Sequence, residues 1–290
     1  MIPVRPSGPR LVVHRGFMFR GLGSRQTLVR ISRGGACREV RVRKLVWSMF
    51  GVAAMTGTLL AGATGYKVTG EVKIGGEGGW DYLTVDQAAR RLYVSHATHV
   101  VVVDIDTLKV VGDIPDTAGV HGIAIAPELN RGFTSNGRAN TVTIFDLKTL
   151  KATGSAPTGD NPDSIRFDSV SGRVFTFNGR SKNSTAIDAK TGAVVGTIAL
   201  PGKPEFSVAD GKGKVYVNIE DTNEIVEIDA AKAAVSKKFA LTGCDGPSGL
   251  AIDQKNRRLF SVCGNRVMAV SDPDAGKVLI VIGTGELCEA

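Results

Sequence analysis

The chain has 290 residues, 42% of them hydrophobic, which is enough to bury one large core or two smaller ones. Its formal net charge of +8 would favour a nucleic-acid partner, but residues 1–46 carry 11 of the 36 basic side chains and only one acid. The remaining 25 basic and 27 acidic side chains give the rest of the chain a net charge of −2. Nucleic-acid binding is therefore not expected.

The first 63 residues have the pattern of an export signal. Arg43 and Lys44 precede a mostly apolar run over residues 45–60, and a small-x-small pattern typical of a signal-peptidase site ends at Ala63. The run is short for a membrane span of about 20 residues. We therefore expect a basic leader and signal segment over 1–63, and a periplasmic or extracellular protein with no membrane span after cleavage. An uncleaved N-terminal anchor is the alternative.

From residue 64 onward, strand-like segments alternate with Gly, Asp, Asn and Pro, and one unit recurs about every 42 residues. The second strand of each unit starts at a basic residue, with an aromatic residue two positions later: Arg91, Arg131, Arg173, Lys214 and Arg258. The third strand ends in an aspartate, and these aspartates are spaced 42, 42, 41 and 43 residues apart: Asp104, Asp146, Asp188, Asp229 and Asp272.

Four-stranded units of about 40–45 residues are typical of β-propeller blades. We therefore predict an all-β propeller domain over 64–290, and in its third unit strands near 164–167, 173–177, 184–188 and 194–199. The repeated aspartates should accept backbone hydrogen bonds in the turns that follow, without any chemical role. A β-sandwich is the main alternative, but it does not explain a constant period.

Five units are visible, and residues 66–79 look like an additional fourth strand with its exit loop. Each of the five units already owns a fourth strand, the last of them near residues 277–282. A closing strand plus five complete blades does not close neatly. The expectation is therefore an incomplete ring, truncated or frame-shifted near Ala290.

The repeats resemble the YVTN-repeat β-propeller family, which includes YncE-like exported proteins. The tetrad that names the family stands here as Tyr93-Val-Ser-His96, Phe133-Thr-Ser-Asn136 and Phe175-Thr-Phe-Asn178, and it degenerates in the last two units. The resemblance covers about residues 66–290. It implies a ring of seven blades and an exported, mostly non-catalytic protein. Related seven-bladed propellers include lactonases and quinoprotein or haem-binding domains.

Other propeller classes fit the sequence less well. No Trp-Asp dipeptide ends the third strands, and the two tryptophans, Trp47 and Trp80, do not recur with the repeat. No Cys-x-x-Cys-His motif for attached haem is present. These features argue against a cofactor-bearing redox propeller.

In a propeller, the loops that enter the first strands and leave the second strands gather at one mouth of the axial channel, where ligands commonly bind. Aligned positions in the first strands carry polar groups: Asp81, His121, Asp163, Glu205 and Ser248. Residues assigned to the ends of the second strands form another set: His96, Asn136, Asn178, Asn218 and Cys263. We predict two rings of polar groups at this mouth.

Three carboxylates and a histidine around one axis could bind a divalent metal or raise one another's pKa for acid/base work. His121 is the first candidate, because it interrupts an acidic series. The alternative is that these side chains cap backbone groups and line a wet channel. Cys244 and Cys263 belong to one unit and should form a disulfide in an exported protein, with two separate buried thiols as the alternative.

No Gly-x-Ser-x-Gly, His-Glu-x-x-His or phosphate-binding glycine loop is found. The sequence thus favours an exported, non-catalytic binding scaffold with a protein or small-molecule ligand at the channel mouth. A metal-dependent, lactonase-like hydrolase that uses the carboxylates and histidine of the mouth is the alternative.

Overall fold

The structure is a computed structural model, and it describes residues 11–15, 27–31 and 67–284. The apolar run at 45–60, the cleavage pattern at Ala63 and Cys288 lie outside the described residues. The chain separates into two compact units, Met1–Gly76 and Glu77–Ala290. Within the described ranges, none of the helical segments is long and apolar enough to cross a membrane.

The first unit contains a three-stranded antiparallel sheet in the order β2-β1-β3. Its strands are β1 (Leu11–Arg15), β2 (Thr27–Ile31) and β3 (Lys67–Val72). The strand predicted near residues 66–79 is present as β3, and it pairs with β1. The pairing of β3 with β1 was not predicted, since β1 and β2 fall in the Arg-rich segment interpreted as a leader.

The second unit is a β-propeller of five four-stranded antiparallel blades, which confirms the predicted fold class. Blade 1 contains β4 (Trp80–Asp86), β5 (Arg91–His96), β6 (His99–Asp104) and β7 (Lys109–Ile114). Blade 2 contains β8 (Val120–Ala126), β9 (Arg131–Asn136), β10 (Thr141–Asp146) and β11 (Ala152–Pro157), with a short 3-10 helix at Pro127–Leu129. Blade 3 contains β12 (Pro162–Asp168), β13 (Arg173–Asn178), β14 (Asn183–Asp188) and β15 (Val194–Ala199).

Blade 4 contains β16 (Pro204–Ala209), β17 (Lys214–Ile219), β18 (Glu224–Asp229) and β19 (Ala234–Ala240). Blade 5 contains β20 (Pro247–Asp253), β21 (Arg258–Cys263), β22 (Val267–Asp272) and β23 (Lys277–Gly283). Each strand pairs with the next one along the chain, so every blade is a meander. The predicted strands of blade 3 are all present, and three of them extend one or two residues further.

Successive blades are held together by apolar clusters, one between each neighbouring pair. The aromatic residue that recurs in the second strands is fully buried in blades 1 to 4, as Tyr93, Phe133, Phe175 and Tyr216. The first strands of successive blades also contact one another, in the order β4, β8, β12, β16 and β20. Neighbouring first strands therefore bring equivalent residues of different blades close together.

The repeated charged residues have structural roles. The Oδ1 atom of Asp188 accepts the backbone N–H groups of Lys190 and Thr191, at 3.0 and 2.7 Å, as predicted for the turn aspartates. In blades 1 to 3, the arginine that opens the second strand reaches the next blade. Arg173 donates to the carbonyl oxygens of Ala230 and Ala231, at 2.9 and 2.7 Å. The residues that repeat along the sequence thus make contacts within and between blades.

The predicted disulfide is confirmed. Cys244 precedes β20, Cys263 ends β21, and the two cysteines are bonded with a Cα–Cα distance of 5.4 Å. Both residues are buried. The bond joins the loop that precedes the first strand of blade 5 to the end of the second strand of the same blade.

Candidate functional site

Five residues predicted to face the channel mouth occupy one equivalent position. Each is the second residue of the first strand of its blade, and the set is Asp81, His121, Asp163, Glu205 and Ser248. Because the first strands contact their neighbours, this position gathers side chains from different blades. The structure brings three of them into direct proximity: Asp81, His121 and Asp163.

A β-bulge explains how these side chains are aimed. In every blade the pairing register between the first and second strands shifts just after the first residue of the first strand. A bulge interrupts the regular alternation of side chains and often re-aims them next to a functional site. The penultimate residue of the second strand holds the bulge in place: Ser95 donates to the carbonyl oxygen of Tyr82 at 3.0 Å, and Ser135 accepts the N–H of Gly122 at 2.9 Å.

Asn218 occupies the equivalent penultimate position in blade 4, and its assignment to the end of the second strand was wrong. The strand β17 ends one residue later, at Ile219. The side-chain amide of Asn218 donates to the carbonyl oxygens of Ser248 and Gly249, both at 3.1 Å. It therefore supports the bulge of the next blade, and the sequence alignment had matched it to the other amides by residue type and not by register.

His121 lies between two carboxylates. Its Nδ1 atom is 2.5 Å from Oδ2 of Asp81 and 3.8 Å from Oδ1 of Asp163. One donor atom from each of these three residues lies within 4.8 Å of the others. The hydrogen bond to Asp81 raises the pKa of His121, against the lowering effect of burial. Burial raises the pKa of Asp163, although the charge of His121 opposes that shift.

Two further side chains complete this group, which we call the mouth cluster: Asp81, Tyr82, His121, Asp163 and Glu205. The Tyr82 hydroxyl interacts with the Asp163 carboxyl group, and burial followed by the nearby carboxylates raises the pKa of Tyr82. Burial also raises the pKa of Glu205, opposed by Lys203, whose Nζ atom lies 2.7 Å from the Glu205 carboxylate. The cluster thus concentrates negative charge and shared protons in a partly buried site.

An arginine lies next to the mouth cluster and was not predicted. Arg166 of β12 donates to the carbonyl oxygen of Ser207 at 2.6 Å, and its guanidinium lies 5.2 Å from the centroid of the Phe206 ring. Tyr82 packs edge-on against the same ring at 5.0 Å. The Nε atom of Arg166 is buried and has no hydrogen-bond partner among the described residues. Burial lowers the pKa of Arg166 to about 10.

The sequence carried no repeated signal for Tyr82, Arg166 and Phe206. Tyr82 and Phe206 share the third position of their first strands, but that position holds Gly122, Ser164 and Gly249 in the other blades. The first-strand bulge also breaks the alternation from which side-chain direction would be predicted. The one available indication was an arginine between Ile165 and Phe167, since a buried arginine usually has a partner or a ligand.

The second predicted ring is not one set of free polar groups. The amides of Asn136 and Asn178 are buried and make their hydrogen bonds within their own blades. Asn136 accepts from Thr134 at 2.8 Å and donates to Thr141 and Thr143 at 3.2 and 2.8 Å. Asn178 repeats this pattern in blade 3. These two residues hold the ends of the second and third strands together.

His96 occupies the same position in blade 1, in a different environment. Its ring stacks on Trp80, with ring centroids 3.8 Å apart and an interplanar angle of 3°. Its Nδ1 atom lies 3.3 Å from Nε2 of His99. The two predicted rings therefore separate into a carboxylate–histidine cluster, structural amides and a histidine pair.

Five blades with their first strands side by side, and a polar cluster built at one end of those strands, define a β-propeller with a candidate ligand site. No protein-family model matches the chain, and no curated protein sequence matches it. Among solved structures it is similar to hydrazine synthase of Kuenenia stuttgartiensis, with a TM-score of 0.53 and 14% sequence identity. The match covers 70% of this chain and 86% of that chain, and at this identity it shows the fold alone.

Proposed function

We propose that this protein is an exported binding propeller whose mouth cluster holds a divalent cation as part of its ligand site. The observation that carries the proposal is the convergence of Asp81, His121 and Asp163, from three blades, within 4.8 Å. Carboxylates and an imidazole are common ligands of divalent metals. A cation would take the place of the proton that His121 shares with the two carboxylates, so binding should release protons.

The electrostatics of the cluster support a cationic ligand. Asp81, Asp163 and Glu205 contribute three carboxyl groups, against His121 and Lys203 as the nearby cations. Lys203 is itself shared with a fourth carboxylate, Glu220, at 2.5 Å. A divalent cation would relieve the repulsion that helps raise the pKa of the buried carboxyls.

The chemistry of the site favours binding over covalent catalysis. In the part of the chain that the structure describes, His121 makes its side-chain hydrogen bond with a carboxylate and not with a serine or cysteine. The cysteines at 244 and 263 are joined to each other. A nucleophile activated by a neighbouring base is therefore not apparent within these ranges.

The second candidate function is a metal-dependent hydrolase of lactones or esters. One observation favours it: the Tyr82 hydroxyl lies beside the carboxylates and the Arg166 guanidinium lies near Tyr82, so the two groups could bind a carbonyl oxygen. A bound metal would supply an activated water in such a site. The disulfide between Cys244 and Cys263 supports the exported location in either case. We also propose that the protein is a member of the YVTN-repeat family.

Isothermal titration calorimetry with Mn²⁺ and Ca²⁺ tests the proposal. We expect one cation to bind the wild-type protein and to lose at least tenfold in affinity in the Asp163→Asn variant. Ser248→Ala is the matched control, because Ser248 occupies the same strand position in blade 5 but is exposed and outside the cluster. Equal affinity in Asp163→Asn, with an unchanged melting temperature, would contradict the cation site. Hydrolysis of lactones or esters that depends on the bound metal would select the second function.

A further inference from the structure

A second histidine-bearing site lies at the hairpin between β5 and β6, outside the mouth cluster. His96 ends β5, His99 begins β6, and the two face each other in the strand pairing. His96 Nδ1 lies 3.3 Å from His99 Nε2, and that same Nε2 lies 3.6 Å from the Asp113 carboxylate of β7. Three blade-1 strands thus bring two imidazoles and a carboxylate to one end of the blade.

Comparison with the next blade shows that the whole local network has been exchanged. Blade 2 has Asn136 at the position of His96, and its amide is bonded by three threonine hydroxyls. The positions of those threonines are occupied in blade 1 by Val94, His99 and Val101. Where blade 2 has an asparagine bonded by three threonines, blade 1 has two histidines and two valines.

The structural role of this position does not explain the exchange. Asn136 makes three side-chain hydrogen bonds, whereas His96 has the single contact with His99, and its Nε2 atom is buried without a partner among the described residues. A buried polar atom without a partner costs roughly 1–3 kcal/mol. Such a cost is more often retained where the group has a function.

The His96 ring is buried and held in place by an aromatic neighbour. It is only 1% exposed, and it stacks on Trp80. Burial lowers its pKa, and the neighbouring His99 adds to this effect. A neutral imidazole in a fixed orientation is the form that binds a metal.

The site is open to solvent from one side. A surface cavity of about 620 Å³ is lined by residues that include His99, Asp113 and Asp116. Behind His99 lies the buried His96. An ion can therefore enter through the cavity, and the Asp113 side chain, 49% exposed, can rotate to meet it.

We propose that His96, His99 and Asp113 form a binding site for a zinc-like transition-metal ion, separate from the mouth cluster. Two nitrogens that bind one tetrahedral zinc at about 2.0–2.1 Å lie about 3.3 Å apart, which is the spacing of this pair. Imidazole-rich sites select Zn²⁺, Cu²⁺ and Ni²⁺, whereas carboxylate-rich sites suit harder cations. The hairpin site therefore differs from the mouth cluster in the metal that it prefers.

Trp80 provides a direct readout, because it stacks on a proposed ligand. The full-length protein is titrated with Cu²⁺ while tryptophan fluorescence is followed, and Zn²⁺ is then added as a competitor. We expect saturable quenching that Zn²⁺ reverses, and Trp80→Phe should abolish most of its amplitude. His99→Gln should weaken Cu²⁺ binding at least tenfold, while His121→Gln should leave it within about twofold.

Three results would overturn the proposal. The first is unchanged quenching in His99→Gln. The second is equal loss in His121→Gln and His99→Gln, which would place the ion elsewhere. A blade-2-like variant with Val94→Thr, His96→Asn, His99→Thr and Val101→Thr restores the amide network without the imidazoles. It should fold as stably as the wild type by thermal melting and show no reversible quenching, and retained quenching in this variant would also contradict the site.

Discussion

Nδ1 of His121 lies 2.5 Å from Oδ2 of Asp81, although the two residues are 40 positions apart and belong to different blades. The contact exists because both are the second residue of a first strand and those strands are neighbours. Asp163, one blade further on, completes the group. A repeat of about 42 residues thus converts a single strand position into a cluster of ionisable groups.

The first prediction concerns the proton on His121. The hydrogen bond from His121 to Asp81 is the main cause of its raised pKa, so Asp81→Asn should lower that pKa toward or below the ordinary histidine value of about 6.5. A pH titration of the imidazole signals by NMR measures it. Glu128→Gln, which removes an exposed acid from the 3-10 helix, is the control and should leave the His121 titration in place. An unchanged pKa in Asp81→Asn would mean that Asp163 and Glu205 dominate instead.

The second prediction concerns the arginine that opens the second strand. Arg173 donates to two carbonyl oxygens of the next blade, so Arg173→Ala should reduce the free energy of unfolding by about 1 kcal/mol, because the group is partly exposed. Urea unfolding followed by circular dichroism provides the measurement. Arg180→Ala, in the exposed loop after β13, should change it by less than about 0.5 kcal/mol. Equal losses of unfolding free energy in the two variants would contradict the proposal that the repeated arginine joins neighbouring blades.

The third prediction concerns the disulfide. The bond between Cys244 and Cys263 spans 19 residues, and closing a loop of that size stabilises by about 3 kcal/mol in the chain-entropy view. The double variant Cys244→Ser, Cys263→Ser should therefore unfold at a lower urea concentration. Adding a reductant should shift the wild type toward the variant and leave the variant unchanged. A wild type that does not respond to reductant while unfolded would show that its cysteines are not bonded in solution.

The sequence predicted the blades well because their signals are local and repeated. The aspartates at the ends of the third strands set the period, and their turn hydrogen bonds are those expected. Aligning the units also predicted that Asp81, His121 and Asp163 would meet, since equivalent positions of neighbouring blades share one end of the propeller.

Features that depend on register or on a single blade were not predicted. The end of the second strand in blade 4 was predicted one residue too early, at Asn218, whereas the pairing register puts Ile219 there. The bulges in the strands that carry Tyr82 and Arg166 have no recurring residue pattern in the sequence, so they were not predicted. The contact of His96 with His99 was likewise missed, because it arises from substitutions in blade 1 alone.

The fourth prediction follows from the shifted pKa values in the mouth cluster. The pKa values of His121, Asp163 and Glu205 are all raised in the folded protein, so each holds its proton to a higher pH than in the unfolded chain. Their stabilising contribution is fully present below the unfolded values, about 4 for the carboxyls and about 6.5 for the histidine. It is lost as the pH rises through the folded values. Stability should therefore fall as the pH rises above about 6.5 and His121 loses its proton.

Groups with the opposite shift act in other pH ranges. The turn aspartates, such as Asp188, have lowered pKa values, and their contribution disappears only as the pH falls below about 4. His96 also has a lowered pKa, so its effect is an increase in stability as the pH rises toward about 6.5. Neither group produces a loss of stability above pH 6.5.

The free energy of unfolding of the wild type and of Asp81→Asn, measured in urea at intervals from pH 6.5 to 8.5, tests this assignment. We expect the wild type to lose stability across this range and Asp81→Asn to show a flatter profile, because its His121 has lost the hydrogen bond that raises the pKa. Glu128→Gln should follow the wild type. Parallel profiles for all three proteins would assign the pH dependence to groups outside the mouth cluster, and a wild-type profile that rises with pH would reverse the sign of the His121 shift.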